Sequence, residues 1–146
     1  GPFGRDRQRG KDKLMAAQTH FACFLFPETV VRDDGAGYAV ELATAQGTAL
    51  EITLGITRIQ EQESLDVSIW GSADGSDWGA KPLSAFPQKF YCATYPVLLD
   101  LTAHPEVKFL RVEWKMNRWG RGDPKPLFAF YVFAEQTADV FAAHGG

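Results

Sequence analysis

The residues of this chain that could perform acid–base chemistry are few and scattered. Its three histidines, His20, His104 and His144, fall at a strand edge, in a turn and in the tail, and none is paired in sequence with a nucleophile. Acidic pairs such as Glu61 with Glu63 are common on solvated turns, so they do not by themselves indicate a glycosidase. The sequence therefore predicts that the protein is not an enzyme.

Two other groups of residues could bind a metal. The segment 74–77 offers two carboxylates, but calcium takes six to eight oxygen ligands and the spacing of an EF-hand is absent. Its Asp-Gly pair is instead a common turn signal. Cys23 and Cys92 lie in strand-like surroundings without a C-x-x-C pair or a nearby histidine, which predicts reduced, buried thiols. We expect no metal and no cofactor.

The segment 116–125 is the strongest candidate for a binding site. It joins two strand-like segments and carries Trp119 among basic residues and glycines. An aromatic ring beside guanidinium groups can stack on a sugar, a base or another ring. The alternative, left open by the sequence, is that Trp119 folds back onto the edge of the fold. Together with two aromatic residues elsewhere, the candidate binding residues are Arg118, Trp119, Arg121, Asp123, Trp78 and Tyr91.

Strands must hold these candidates in place, because apolar and polar residues alternate in several segments. The segment 65–72 has this period of two and then enters a turn that ends at Trp78. Residues 50–57 alternate in the same way, and Gly55 inside them indicates a bulge or a close approach. Further strands are predicted at 109–115 and 127–133. The pattern predicts an all-β protein, an antiparallel β-sandwich or jelly roll of about seven to eight strands.

Connections between the strands are predicted from turn residues and proline. A first strand at 19–26 should end at Pro27, which cannot donate a ladder hydrogen bond. The polar residues 60–64 predict a hairpin between the strands on either side. Residues 79–95 contain two prolines and read as a long irregular stretch before a strand at 97–101.

Two segments, 21–26 and 127–133, are apolar on both faces, whereas a sandwich strand normally exposes one face to water. Their outer residues must either be covered by other parts of the chain or meet another subunit, and the sequence leaves both open. The candidate interface residues are Phe21, Phe24, Phe26, Phe128, Phe130, Tyr131 and Phe133.

The length of 146 residues and the hydrophobic content of 45% indicate one folded domain. The net charge of −3 divides into +3 for residues 1–13 and −6 for the remainder. We assign residues 1–14 to a basic leader, vector-derived or disordered, 15–134 to the sandwich and 135–146 to an Ala/Gly-rich tail. An acidic body argues against nucleic-acid binding. With no apolar run of roughly 20 residues and no signal peptide, we expect no membrane contact and a cytoplasmic or particle-associated protein.

Residues 50–133 resemble a small β-sandwich domain of phage and prophage structural proteins. The likeness is carried by the Ser-Asp-Gly turn at 72–78, the strand at 109–114 and the closing aromatic strand at 128–132. The order is also similar to that of discoidin-like, galactose-binding-like jelly rolls. The first resemblance implies a non-enzymatic structural subunit, and the second implies glycan binding through loops. We therefore expect self-association into an oligomer or larger assembly through apolar strand faces, with carbohydrate binding as the alternative.

Overall fold

The computed structural model describes residues 21–121 and 125–137, which form a sandwich of two antiparallel β-sheets. This confirms the predicted all-β sandwich. No helix in the described ranges is long and apolar enough to cross a membrane. The strands are β1 (Ala22–Val31), β2 (Gly35–Ala36), β3 (Val40–Glu41), β4 (Ala49–Ile59), β5 (Glu63–Ser72), β6 (Ser84–Ala85), β7 (Ala93–Asp100), β8 (Phe109–Arg118) and β9 (Phe128–Gln136).

The strands divide into a four-stranded and a five-stranded sheet. The first has the order β1-β9-β4-β7, and the second has the order β2-β8-β5-β6 with β3 also paired to β8. The chain passes between the sheets at several points, and two of these crossings, from β4 to β5 and from β8 to β9, are close to each other. Both crossings lie at one end of the sandwich, since Gln60 N–H donates to the carbonyl of Leu127 over 3.3 Å. We call this end the corner.

The core lies between the two sheets and follows from the alternation in the sequence. From β4, Leu50, Ile52 and Leu54 are fully buried, and from β5 the inward residues Leu65 and Ile69 are fully buried as well. Burying each such side chain stabilises the fold by about 1.5–3 kcal/mol, which fixes which face of each strand points inward.

Pro27 does not end the first strand, contrary to the prediction. β1 continues through Pro27 to Val31, with register shifts against β9 between Phe24 and Phe26 and between Phe26 and Thr29. β1 is an edge strand, paired only with β9. A proline is tolerated there because an edge strand at a bulge can lack one donor.

The predicted hairpin between β4 and β5 is also wrong. β4 pairs with β7 and β9, whereas β5 pairs with β6 and β8, so the two strands lie in different sheets. A polar turn indicates that the chain reverses, but it does not say whether the strands on either side pair. Here it carries the chain from one layer to the other.

Residues 79–95 are more regular than predicted. Ser84 and Ala85 pair with β5 as β6, Phe86 is buried in the core, and β7 begins at Ala93. Both cysteines are free, but Cys92, just before β7, is exposed rather than buried. Cys23 is half-buried, and burial raises the pKa of its thiol.

The ends of the sandwich differ slightly from the predicted boundaries. β9 runs to Gln136, so two residues assigned to the tail belong to a strand. The leader 1–14, the start of the predicted first strand with His20, and His144 in the tail lie outside the described residues, and so does Asp123.

Candidate functional site

Trp119 directly follows β8 at the corner. Its backbone N–H donates to the carbonyl of Gln62 over 3.0 Å, while its side chain is 56% exposed. Gln62 has a φ of 60°, in the left-handed region that few residues other than glycine adopt. The tight turn between β4 and β5 therefore fixes the position from which Trp119 projects.

Phe90 and Tyr91 meet Trp119 at the same corner. The ring centroid of Phe90 is 6.2 Å from that of Trp119 and 6.3 Å from that of Tyr91, with interplanar angles of 69° and 54°. Together with Gln62 these three rings form a cavity of about 410 Å3, which we call the corner pocket. The pocket brings together two residues that the sequence nominated and one, Phe90, that it missed.

Hydrogen bonds hold the segment with Phe90 and Tyr91 in place on both sides. Lys89 exchanges two backbone hydrogen bonds with Leu65 of β5, at 2.9 and 3.0 Å. The hydroxyl of Tyr95 in β7 donates to the carbonyl of Tyr91 over 3.0 Å. The two aromatic residues thus occupy a short bridge between the sheets, and this explains why they reach Trp119 from a distant part of the sequence.

The buried side chain of Glu63 links two backbone segments of the corner. This side chain is only 2% exposed and accepts hydrogen bonds from the backbone N–H groups of Gln60, at 2.8 Å, and Leu127, at 2.9 Å. Gln60 lies in the crossing from β4 to β5, and Leu127 lies in the crossing from β8 to β9. The Glu63 carboxylate therefore connects these two crossings. The sequence signal was its place in the alternation of β5, where position 63 points inward like position 65.

The two arginines beside Trp119 take different positions. Arg118 is half-buried, and its Nη2 donates to the carbonyl of Arg121 over 3.4 Å. Its Nε and Nη1 are buried and have no hydrogen-bond partner within 21–121 and 125–137. Arg121 itself is exposed. Neither arginine is among the described residues that line the pocket.

Trp78 lies apart from the corner, so it does not join the predicted site. Arg111 places its guanidinium 4.5 Å from the centroid of the Trp78 ring. Arg111 stands opposite Trp70 near the other end of β5 and β8. The nearby segment 72–77 is a turn, as predicted: the carboxylate of Asp74 accepts from the backbone N–H groups of Ser76 and Asp77 at 2.8 and 2.9 Å.

A second surface lies on the outside of the four-stranded sheet. Phe24 is 50% exposed, and Tyr131 and Phe133 are partly exposed beside it. Leu98, which is 59% exposed, lies two strands from β9, on β7 opposite Glu51. The ring of Phe24 lies 5.0 Å from that of Phe133 and 5.7 Å from that of Tyr131, in edge-to-face arrangements. We call the surface formed by these four residues the aromatic face.

Gly55 makes room for this surface. It stands opposite Tyr131 in the pairing of β4 with β9, and a Cβ atom at position 55 would overlap the Tyr131 ring. The ring therefore lies flat across the backbone of β4. This confirms the predicted close approach at Gly55, and it shows that the outer face is ordered by packing.

The candidate interface residues divide between the two sides of the sheet. Phe128 and Phe130 are fully buried, and Phe26 packs against Phe130 and Trp114 with centroids 5.0 and 4.7 Å away. Phe21 also packs against the core. Phe128 and Phe130 cannot meet a partner while the sandwich is intact, so the expectation is wrong for these two, whereas Phe21 and Phe26 are partly exposed. Phe24, Tyr131 and Phe133 face outward.

Within the described ranges, no three histidine, cysteine, aspartate or glutamate side chains come close enough together to hold a metal ion. No protein-family model matches the chain, and a search of curated proteins found none that is similar to it. The aromatic face and the corner pocket are therefore the two candidate functional surfaces of the described residues.

Proposed function

We propose that the protein is a non-enzymatic structural subunit that self-associates, with a second copy of the chain packed on its aromatic face. The observation that carries this proposal is the ordered, exposed group of Phe24, Leu98, Tyr131 and Phe133 on one sheet surface. Apolar side chains that stay exposed together on a folded chain mark a candidate site of interaction. Two sheets pack face to face through such side chains inside every β-sandwich.

The charges at the ends of the aromatic face favour a second copy as the occupant. At one end, Glu51 and Glu135 are exposed and stand directly opposite each other across β4 and β9. Like charges in this position repel, so a cation between them would be stabilising. At the other end, Arg58 of β4 is exposed. A two-fold axis in the plane of the contact and perpendicular to the strands would place Arg58 of each copy near the acidic pair of the other.

Features of the sheet edges favour face-to-face association over the addition of strands. The edge strand β1 contains Pro27 and two register shifts, and the opposite edge strand β7 contains Pro96. Proline and bulges at an edge oppose pairing with a further strand. The resemblance to phage-type structural domains agrees with a subunit of this kind and stays a prediction.

Sedimentation velocity over a range of protein concentrations tests the proposal. We expect the full chain to form a dimer or larger assembly, and we expect Phe24→Glu to shift it to the monomer, because a charge would then be buried at the centre of the contact. Tyr38→Glu is the matched control, since Tyr38 is 92% exposed between β2 and β3, away from the aromatic face.

A charge reversal tests the arrangement of the two copies. Arg58→Glu should weaken the association, and Arg58→Glu combined with Glu51→Arg and Glu135→Arg should restore part of it. A chain that stays monomeric at high concentration, or a Phe24→Glu variant that associates like the unmodified chain, would overturn the proposal.

A further inference from the structure

We infer that the corner pocket is a carbohydrate-binding site, in which a sugar ring stacks against Trp119 and Tyr91 and hydrogen-bonds to Glu61 and Gln62. The inference is independent of self-association, because the pocket lies at the end of the sandwich rather than on the outer face of the sheet. It names a second surface of the chain and the chemical class of its ligand.

The aromatic walls provide the apolar part of such a site. Trp119 is 56% exposed, Tyr91 is 72% exposed and Phe90, between them, is 40% exposed. Rings at 69° and 54° to one another form a trough rather than a flat platform. One face of a pyranose ring carries several C–H groups, and these pack against the negative face of an aromatic ring. A cavity of about 410 Å3 is within the range of small-ligand sites and holds one or two sugar rings.

The polar part of the site comes from the turn between β4 and β5. Glu61 and Gln62 both line the pocket, and both are exposed. A carboxylate accepts hydrogen bonds from hydroxyl groups, and an amide both donates and accepts. Gln62 packs over Gly120, where a Cβ atom would lie 2.6 Å from its Oε1. The amide is therefore held beside the base of the Trp119 side chain.

The charge of the pocket distinguishes a sugar from other ligands that bind aromatic rings. A phosphate or another anion would meet the carboxylate of Glu61, and among the described residues that line the pocket none is a lysine or an arginine. A purely apolar ligand would leave Glu61 and Gln62 without hydrogen bonds at its edge. A neutral molecule with one apolar face and many hydroxyl groups satisfies both sets of side chains.

The pocket is also preorganised, which reduces the entropy lost on binding. Glu63 ties both crossings of the chain together beneath it, and the backbone bond from Trp119 to Gln62 fixes the two walls relative to each other. Gln62 holds a backbone conformation, at a φ of 60°, that costs free energy. Strained residues of this kind cluster at functional sites.

The test is a titration with defined sugars, followed by tryptophan fluorescence and by NMR of the aromatic side chains. The probes are neutral hexasaccharides of glucose, xylose, mannose and N-acetylglucosamine, with co-sedimentation on insoluble cellulose and chitin. We expect saturable binding to at least one of them. Trp119→Ala and Tyr91→Ala should each weaken it by about tenfold or more, since every 1.4 kcal/mol lost is tenfold in affinity.

Controls separate this site from the rest of the molecule. Trp78→Phe keeps an aromatic ring on Arg111 at the distant end of the sandwich and should bind like the unmodified chain. Phe24→Glu, which removes the proposed contact between copies, should also bind normally. No saturable binding to any probe, binding that survives Trp119→Ala, or binding lost in Phe24→Glu would overturn the inference.

Discussion

The outer faces of the two sheets differ in composition, although Trp70 lies on the five-stranded sheet and a pair of glutamates lies on the four-stranded one. On the five-stranded sheet, Asp66 stands opposite Lys115 and Ser68 opposite Glu113, and Glu113 accepts a hydrogen bond from Arg111 over 2.6 Å. We call this surface the polar face. The aromatic face of the four-stranded sheet has Phe24, Phe133, Tyr131 and Leu98 at comparable outward positions. A polar outer face needs only water, whereas an aromatic one gains free energy when it is covered.

This difference supports the proposal that a second copy covers the aromatic face. The core lies entirely between the sheets, so side chains outside them add little to it. The aromatic rings outside are nevertheless packed against each other, and Gly55 is placed so that Tyr131 can lie flat.

The largest effect separates the inner and outer residues of β9. Phe130→Ala should lower the free energy of unfolding by about 3–5 kcal/mol, because it leaves a cavity next to Phe26 and Trp114. Phe133→Ala, on the aromatic face, should lower it by about 1 kcal/mol or less. Urea unfolding of dilute, monomeric protein measures both values. Equal costs would mean that the aromatic face is part of the core.

An intermediate effect is expected at Gly55. Gly55→Ala should destabilise the fold by about 1–3 kcal/mol, because the new methyl group displaces the ring of Tyr131. In the double variant with Tyr131→Ala, the cost of the methyl group should largely disappear, and the two changes should not be additive. A double-mutant cycle by thermal or urea unfolding measures this coupling. Additive costs would show that the ring does not depend on Gly55.

A smaller effect is expected on the polar face. Asp66→Lys places two positive charges opposite each other and should lower the free energy of unfolding by about 0.2–1 kcal/mol, less at high salt. Asp66→Asn is the control, since it removes the charge without creating the repulsion. Unfolding curves at low and high ionic strength measure the difference. A cost that does not change with salt would contradict the electrostatic explanation.

The smallest effect is a pH dependence in the turn that follows β5. Hydrogen bonds from the backbone N–H groups of Asp77 and Ser76 and from the hydroxyl of Ser72 lower the pKa of Asp74 from its ordinary value of 3.8. The ionised carboxylate of Asp74 therefore stabilises the turn fully above pH 3.8. This stabilisation is lost as the pH falls through the lowered pKa of Asp74. NMR of the Ser76 and Asp77 amide protons should report this step, and Asp74→Asn should remove it.

Much of the fold could be predicted from local patterns. The alternation in 50–57 and 65–72 gave strands and their buried sides, because burying one face of a strand determines its register. The turn at Asp74 followed from its Asp-Gly pair. The prediction that the first strand ends at Pro27 was wrong, because the effect of a proline depends on whether its strand lies at the edge of a sheet. The hairpin predicted from the polar residues 60–64 was also wrong, because the pairing of strands in a sheet depends on distant parts of the chain.

The candidate sites were only partly predictable for a related reason. Trp119 and Tyr91 were nominated by residue type, but Phe90 and Gln62 joined them only through the crossings of the chain at the corner. Glu63 was read as a solvated acid, although its place in the alternation of β5 pointed inward. Among the aromatic residues of β1 and β9, the sequence could not tell inner from outer, since both faces are apolar.

The alternation of apolar and polar residues was enough to predict the main strands and the buried sides of β4 and β5, and the Asp-Gly pair was enough to predict the turn at 74–77. Only the tertiary structure decided which sheet each strand joins, and therefore that Phe24, Tyr131 and Phe133 share an open surface while Trp119, Tyr91 and Phe90 enclose a pocket. The physical reason is that neighbourhood on a sheet or at a corner depends on contacts between residues far apart in the chain, and these have no local signature.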